Sequence, residues 1–517
     1  MTRITPRSHA KAFAHHNPSR PSLGSASSKE EQDRTHPDTE KPTKTFNPDD
    51  YAKPFCEFVS TNSTVFHAVD AIADELRTHG FQKLSERTAW KLERGGKYYV
   101  ERNGSSMIAF VVGDEYEPGN GAAMLAGHVD ALTAKLKPVS KVPDRAGYVQ
   151  LGVAPYAGSF GGPTWWDRDL GIGGRVLVKE STGKIVTKLV KLDWPIARIP
   201  TLAPHFGAAA RGPFNPETQM VPIIGLETCD SASAQGEVGA KSSLLLGEGT
   251  FASTQPPGLV KAIAHELGIE DCTSIMNWEL ELFDTQPAQL GGISKEFLFA
   301  GRLDDKLCSW AAIQALIESS SIKNRHSSII KVVALFDNEE IGSLLKQGAR
   351  GNLLHSTIER VVDNFRTSTS PSSASLAGQT FANGFLVSSD VIHAVNPNFL
   401  NAYLDNHSPQ LNVGLTVSAD PNGHMTTDAV STAVLTRCAD LCGAKLQVFQ
   451  IRNDSRSGGT VGPMLSSALG VRAVDAGIPQ LSMHSIRATT GRLDPGLGVQ
   501  MFKGYLDNFE KVDEEFR

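Results

Sequence analysis

The chain repeatedly builds an apolar run of strand length and then stops it on a carboxylate or a histidine. Ala122-Ala-Met-Leu-Ala-Gly127 runs into His128 and Asp130. Ser328-Ile-Ile-Lys-Val-Val-Ala-Leu-Phe336 stops on Asp337-Asn-Glu-Glu340, Gly384-Phe-Leu-Val-Ser-Ser389 stops on Asp390, and a short segment from Gly477 to Ser482 leads to His484. Runs this short and this apolar read as buried strands. Met107-Ile-Ala-Phe-Val-Val-Gly113 and Leu446-Gln-Val-Phe-Gln-Ile451 supply two more. The stretches between carry helical spacing: Tyr51, Phe55, Phe58 and Val59, then Val65, Val69, Ile72 and Leu76, and later 307–317 and 431–442. Strands alternating with helices predict an α/β fold with a central, mostly parallel sheet and helices on both faces.

Two stretches break this texture. Residues 1–46 hold five prolines and four histidines and almost no aliphatic side chains. They cannot bury enough surface to offset their ordering entropy, so they are expected to be a disordered tail or a pro-segment. Up to Ser28 the tail is basic and Ser-rich, the composition of a targeting segment, with no apolar stretch of the secretory kind. From 135 to 290, turn residues crowd together (Gly158, Gly161, Gly162 and Pro163, then Gly171, Gly173 and Gly174) around short β-type runs such as Arg175-Val-Leu-Val178. This stretch is expected to be a β-rich insertion splitting a core made of 47–134 and 291–517.

Composition removes several functions. Lys and Arg number 50 and Asp and Glu 56, a formal charge of −6. That balance argues against binding nucleic acid by phosphate neutralisation. No apolar run approaches the ~18 residues of a membrane span. Six cysteines in 517 residues, none in a Cys-x-x-Cys pair, are too few for a disulfide scaffold and wrong for a zinc finger.

The groups at the strand ends remain to be explained. Ligands in open α/β sheets bind beyond the carboxyl ends of the strands, and carboxylates gathered there repel one another unless a cation holds them. Singly, each group has a plain reading: His128 in a turn, Glu339-Glu340 as a solvated pair, Asp390 as a helix cap, His484 as a hydrogen-bonded core histidine, and Arg302-Leu-Asp304-Asp305 as a surface ion-pair cluster. Together, two histidines and several carboxylates form a donor set for zinc, with manganese or cobalt as alternatives. A two-metal hydrolase needs a carboxylate bridging ions roughly 3.5–4 Å apart. It also needs an unligated carboxylate to take a proton from water and return it to the leaving amine. Adjacent glutamates can divide those tasks, and an Asp two residues after a ligand His can orient the imidazole.

Gly127-His-Val-Asp130, Arg302-Leu-Asp304, Phe336-Asp-Asn-Glu-Glu-Ile-Gly342, Ser389-Asp390 with His393-Ala-Val-Asn-Pro-Asn398, and Gln480-Leu-Ser-Met-His-Ser-Ile-Arg487 together resemble the aspartyl aminopeptidase family, most closely its fungal vacuolar aminopeptidase I branch. Trp166-Asp-Arg-Asp169, Arg198-Ile-Pro-Thr-Leu-Ala-Pro-His205 and Asn453-Asp-Ser-Arg-Ser-Gly-Gly-Thr460 extend the likeness, which runs from about 50 to 515. The resemblance implies two zinc ions per subunit, one held by His128, Asp304 and Asp390, the other by Asp304, Glu340 and His484. Asp304 would bridge, Glu339 would be the general base and Asp130 would orient His128. It further implies that 135–290 is a dimerisation domain, that dimers assemble into a dodecamer, that His205 reaches a neighbouring subunit's site, and that the enzyme is cytoplasmic or vacuolar.

The resemblance makes the chain a metallo-aminopeptidase acting on peptides. The first residue it removes stays open between acidic and neutral, leucine-like types. Aspartyl-preferring members carry a basic stretch where this chain has Ser418-Ala-Asp-Pro-Asn-Gly-His424, so an acidic side chain gains no ion pair there beyond His424, a pH-dependent substrate-binding candidate. Two other readings are a carboxypeptidase or deacylase on a related two-metal core, and a self-assembling cargo or scaffold protein with secondary peptidase activity.

Overall fold

Seven consecutive apolar or apolar-stemmed residues, Ile330–Phe336, need cover on both faces of a strand, and all seven are buried. So is every residue of the neighbouring strand Ala122–His128. In the computed structural model, which describes residues 46–157, 163–227, 249–321 and 326–517, side chains of these strands alternate between two cores. Ala123, Leu125, Val333 and Leu335 join helices Ala52–Thr61, Val65–Thr78, Leu303–Ser321, Ala429–Cys442 and Asp494–Glu515. Ala122, Met124, Ala126, Val332, Ala334 and Phe336 join Leu353–Phe365, Ser373–Ala382 and Val461–Leu469. The sheet is thus layered between helices on both faces, as the strand–helix alternation predicts. The tail up to residue 45, Gly158, Gly161, Gly162 and Cys229 lie outside the described residues.

Among the described residues the central sheet has nine strands in the order Gln82–Leu84, Lys97–Arg102, Ser106–Val112, Ile330–Phe336, Ala122–His128, Phe385–Ser388, Arg472–Gly477, Leu415–Ala419 and Leu446–Gln450. Five of its eight neighbouring pairs are parallel and three antiparallel, so it is mostly parallel with reversals toward both edges. The parallel centre sets the site. Phe336 pairs with His128 and Ser388 with Ala126, so these three strands end at one level.

One expectation is corrected. The segment from Gly477 to Ser482 is not the central strand; that strand is Arg472–Gly477. The chain then makes a two-residue strand, Pro479–Gln480, paired with Ile392–His393 in a small separate sheet. His484 follows on a loop rather than at a strand end. Pro479 has no N–H for a central ladder, which confines this later segment to a short two-residue pairing. Gly477 marks the true end, because a Cβ there would lie 1.5 Å from the Asp390 carbonyl oxygen. Gly477→Ala is therefore expected to force the two strand ends apart and cost about 3 kcal/mol. The midpoint of denaturant unfolding measures this, and an unchanged midpoint would contradict the packing.

Among the described residues, the β-rich stretch forms its own six-stranded antiparallel sheet in the order Ile185–Ala197, Leu170–Lys179, Ile275–Asp284, Thr133–Lys141, Tyr148–Tyr156 and Ile223–Leu226. Its apolar face (Leu170, Ile172, Trp278, Leu280, Leu282) packs on Leu259, Val260 and Ile263 of helix Pro257–Glu266. Several motif residues tie this sheet to the rest of the chain. Arg168 and Arg487 both bind Asp284 Oδ2, at 2.6 and 3.1 Å.

Candidate metal centre

The level strand ends are locked by backbone bonds across them. The Val129 N–H donates to the Phe336 carbonyl (2.9 Å) and the Ser389 N–H to the Ala126 carbonyl (2.6 Å). Gly127 is required in this crowding: a Cβ would meet the Ser389 carbonyl oxygen at 2.6 Å and Asp305 Oδ2 at 2.8 Å. Asp304 enters from the first turn of Leu303–Ser321. After Phe336 the chain turns through Asn338, whose φ of 64° is left-handed, a conformation Asn tolerates better than most residues. Gly342 (φ 96°) closes the turn. Glu339 and Glu340 project from between them.

The result is one cluster. Nε2 of His128 lies 3.3 Å from Asp304 Oδ1 and 3.7 Å from both Glu339 Oε2 and Asp390 Oδ1. Nε2 of His484 lies 3.5 Å from Asp304 Oδ2 and 3.9 Å from Glu340 Oε2. Asp304 thus turns one oxygen to each histidine. Asp130 Oδ1 is 3.2 Å from His128 Nδ1 and also receives the Glu339 N–H at 3.3 Å. Its Oδ2 receives the Glu340 N–H at 3.3 Å and the Tyr156 hydroxyl at 2.8 Å.

The cluster is electrostatically strained without a cation. Burial, with a contribution from Asp390, pushes the Glu339 carboxyl up to about 8, partly offset by His128. Burial and the Asp304 charge push Glu340 well above the usual range, and burial with Asp304 also raises Asp390. Burial alone would depress the His128 imidazolium, but the charges of Glu339 and Asp390 override it and hold its pKa well above normal. Burial would likewise raise Asp130, yet its bonds to His128 and Tyr156 hold it below normal. Glu340 Oε1 and both oxygens of Asp305 are buried without a hydrogen-bond partner. Orphaned carboxylate oxygens beside two imidazoles suit a divalent cation of the zinc type. Among the described residues, two groupings of donor atoms meet within 4.8 Å: Asp304, Glu340 and His484, and His128, Asp305 and Asp390.

A cleft of about 490 Å³ opens from Asp304, Glu339, Glu340, Asp390 and His484. Val391, Ile392, Met425, Phe449, Ile451 and Met483 give it an apolar wall, and Arg456 adds a guanidinium. His424 does not line this cleft. It is half-exposed, with Nδ1 3.0 Å from Asp420 Oδ2 and 2.6 Å from Ser457 Oγ, although both of those residues do line it. His205 is exposed in the 3₁₀ segment Pro204–Ala210 and stacks on Phe206 at 5.0 Å. It is not part of this chain's own cluster.

Sequence reasoning missed Tyr156, Asp305 and Arg456. Asp305 stood beside Asp304 with nothing to mark it as buried. Tyr156 reaches the site through the pairing of its strand, and Arg456 lies on the loop after Leu446–Gln450 that lines the cleft. A partial signal existed for Arg456, within Asn453-Asp-Ser-Arg-Ser-Gly-Gly-Thr460.

Comparison with known proteins agrees with this chemistry. The family profile described as Aminopeptidase I zinc metalloprotease (M18) matches residues 58–506. Vacuolar aminopeptidase 1 of Saccharomyces cerevisiae is 45% identical over 477 residues, 91% of this chain and 90% of its own length. The solved structure of Chaetomium thermophilum mApe1 is 54% identical, covers 91% of this chain and all of its own, and superposes with a TM-score of 0.82. The mApe1 dodecamer of S. cerevisiae is 40% identical, covers 90% of this chain and 99% of its own, with a TM-score of 0.78. The chain belongs to the M18 family of zinc metalloproteases and is a zinc-dependent aminopeptidase.

Proposed function

We propose that the chain removes one N-terminal residue from peptides at a two-zinc site. His128, Asp304 and Asp390 would hold one ion, and Asp304, Glu340 and His484 the other. The observation carrying this reading is Asp304, whose Oδ1 and Oδ2 face the two histidines at 3.3 and 3.5 Å. Asp305 also lies near His128 and Asp390, but it faces only that pair, so the bridge is assigned to Asp304. Manganese or cobalt would suit the same donors. Bound zinc would polarise the scissile carbonyl and ease deprotonation of the attacking water.

The protein's own groups supply the rest. Glu339 Oε2 would take the water proton and pass it to the leaving amine nitrogen. Asp130 would hold His128 by its Nδ1. The substrate's cationic α-amino group would be drawn to the carboxylates of the cleft. The apolar wall supports a neutral, leucine-like first residue. Arg456 favours a second reading, in which a carboxylate side chain is also accepted. A carboxypeptidase or deacylase would use the same ions, and the family favours the aminopeptidase. A scaffold without catalysis would leave these buried carboxylates unexplained.

The assembly reading extends from the relatives: 135–290 as a dimerisation domain, a dodecamer built from dimers, and His205 entering a neighbouring subunit's site. Among the described residues no helix is long and apolar enough to cross a membrane, and we place the enzyme in the cytoplasm or vacuole. The tail of residues 1–46 would be dispensable for catalysis.

The test is a panel of aminoacyl chromogenic substrates, with and without a chelator. Leu release is expected to exceed Asp release at least tenfold and to vanish on chelation. Arg456→Ala is expected to lower Asp release several-fold while leaving Leu release within twofold. No chelator-sensitive release from any substrate would overturn the reaction.

A further inference from the structure

We propose that Tyr156, supplied by the β-rich sheet of the same chain, is a positioning residue that fixes the Asp130 carboxylate and, through it, both His128 and the Glu339–Glu340 turn. The inference rests on the zinc-site reading above and extends it to a residue outside the ligand set.

Asp130 makes four polar contacts, two on each oxygen. Oδ1 takes His128 Nδ1 at 3.2 Å and the Glu339 N–H at 3.3 Å. Oδ2 takes the Glu340 N–H at 3.3 Å and the Tyr156 hydroxyl at 2.8 Å. A carboxylate has about four lone-pair sites, so all are in use. The phenol contact is the shortest of the four and involves the one partner that is neither the held imidazole nor part of the acidic turn. Without it, the carboxylate is freer to rotate about its Cβ–Cγ bond, and its contacts to His128 and to the turn loosen together.

The same hydroxyl also reaches the turn directly. It accepts from Asn338 Nδ2 at 2.9 Å, and Asn338 is the left-handed residue that aims Glu339 and Glu340. Its oxygen lies 3.4 Å from Asp337 Oδ1, which already receives the Asn338 N–H at 2.7 Å. One phenol thus joins the end of strand Ala122–His128 to the turn after Ile330–Phe336.

The ring itself is seated. Tyr156 is buried and pairs with Thr133 across the antiparallel sheet. The Lys135 ammonium stands 4.0 Å from its ring centroid, a cation–π contact. The β-rich sheet therefore contributes to the metal centre within one chain, apart from any part it takes in assembly.

Tyr156→Phe keeps the ring and deletes only the hydroxyl. Asn338 Nδ2 retains Asp337 Oδ1 as an acceptor at 3.1 Å. In the full-length protein, zinc affinity by chelator competition is expected to weaken about 10- to 100-fold. The kcat is expected to fall by a similar factor with KM within twofold, and zinc-free thermal unfolding is expected to stay at the wild-type temperature. Because the shortest contact of the hydroxyl is to Asp130 and its direct contact to Asn338 is a second, lesser route, adding Tyr156→Phe to Asp130→Asn is expected to cost far less than it does in the wild-type background. Wild-type zinc affinity in Tyr156→Phe, or a full additive loss in the double variant, would overturn the proposal. A wild-type chain that binds no zinc would overturn the zinc-site reading and this inference with it.

Discussion

Glu339→Gln is expected to lower kcat by about 10²- to 10⁴-fold, the range of a lost general base, with zinc content and KM unchanged. The substitution preserves side-chain volume and removes only the ability to accept and return a proton. The expectation separates Glu339 from its neighbour. Glu340 Oε2 lies 3.9 Å from His484 and groups with Asp304 and His484 as donors. Glu339 Oε2 stands 3.7 Å from His128 on the cleft side, outside both donor groups. Glu340→Gln is therefore expected to lose metal, whereas Glu339→Gln keeps it. Steady-state kinetics on a Leu substrate, paired with elemental analysis of zinc, measures both quantities. Wild-type turnover in Glu339→Gln would move the base elsewhere. Loss of zinc would make Glu339 a ligand.

Much of this centre was legible because parallel strands end at one level. Ile330–Phe336, apart from Lys331, and residues 122–127 are apolar, so their ends stand out, and with them His128 and Asp337; Asp390 follows the short apolar strand Phe385–Ser388 in the same way. The Glu339-Glu340 pair stands immediately beyond such an end. His484 was reached by a wrong local reading, since its strand ends at Gly477 and the histidine sits on a loop. The motif carried that assignment, not the periodicity. Asp305 could not be separated from Asp304 by sequence, because the fold alone decides which adjacent carboxylate is sealed off from solvent. Tyr156 was out of reach for a related reason. Its strand is half-exposed and irregular, and its value depends on a register with Thr133 and on a turn 182 residues away. Short-range patterning carries no record of such contacts. His424 was read as a substrate contact from the resemblance to aspartyl-preferring members, which carry a basic stretch there; its Nδ1 contacts Asp420 and Ser457.

Asp304→Asn is expected to produce opposite effects on the zinc-free and zinc-loaded proteins. In the zinc-free protein, the Asp304 charge helps push Glu340, Asp390 and Asp305 above their usual range. It is one of several like charges held in a buried site, and removing it relieves repulsion. Zinc-free Asp304→Asn is therefore expected to unfold at a higher temperature than zinc-free wild type. With zinc present the order reverses. Wild type gains stability by mass action, about 2.7 kcal/mol when free metal is a hundredfold above the dissociation constant. The variant forfeits most of that gain, because the Asp304 side chain, which faces both histidines, no longer carries a charge. Its zinc content is expected to fall at both positions rather than one, and kcat/KM by roughly 10³-fold or more, corresponding to several kcal/mol of lost transition-state stabilisation. Thermal unfolding with and without a chelator, alongside zinc analysis, tests the crossing. Loss of a single zinc with the other retained would remove Asp304 from the bridging position and leave Asp305 as the carboxylate to examine. A zinc-free variant less stable than zinc-free wild type would mean that Asp304 supports the fold independently of metal.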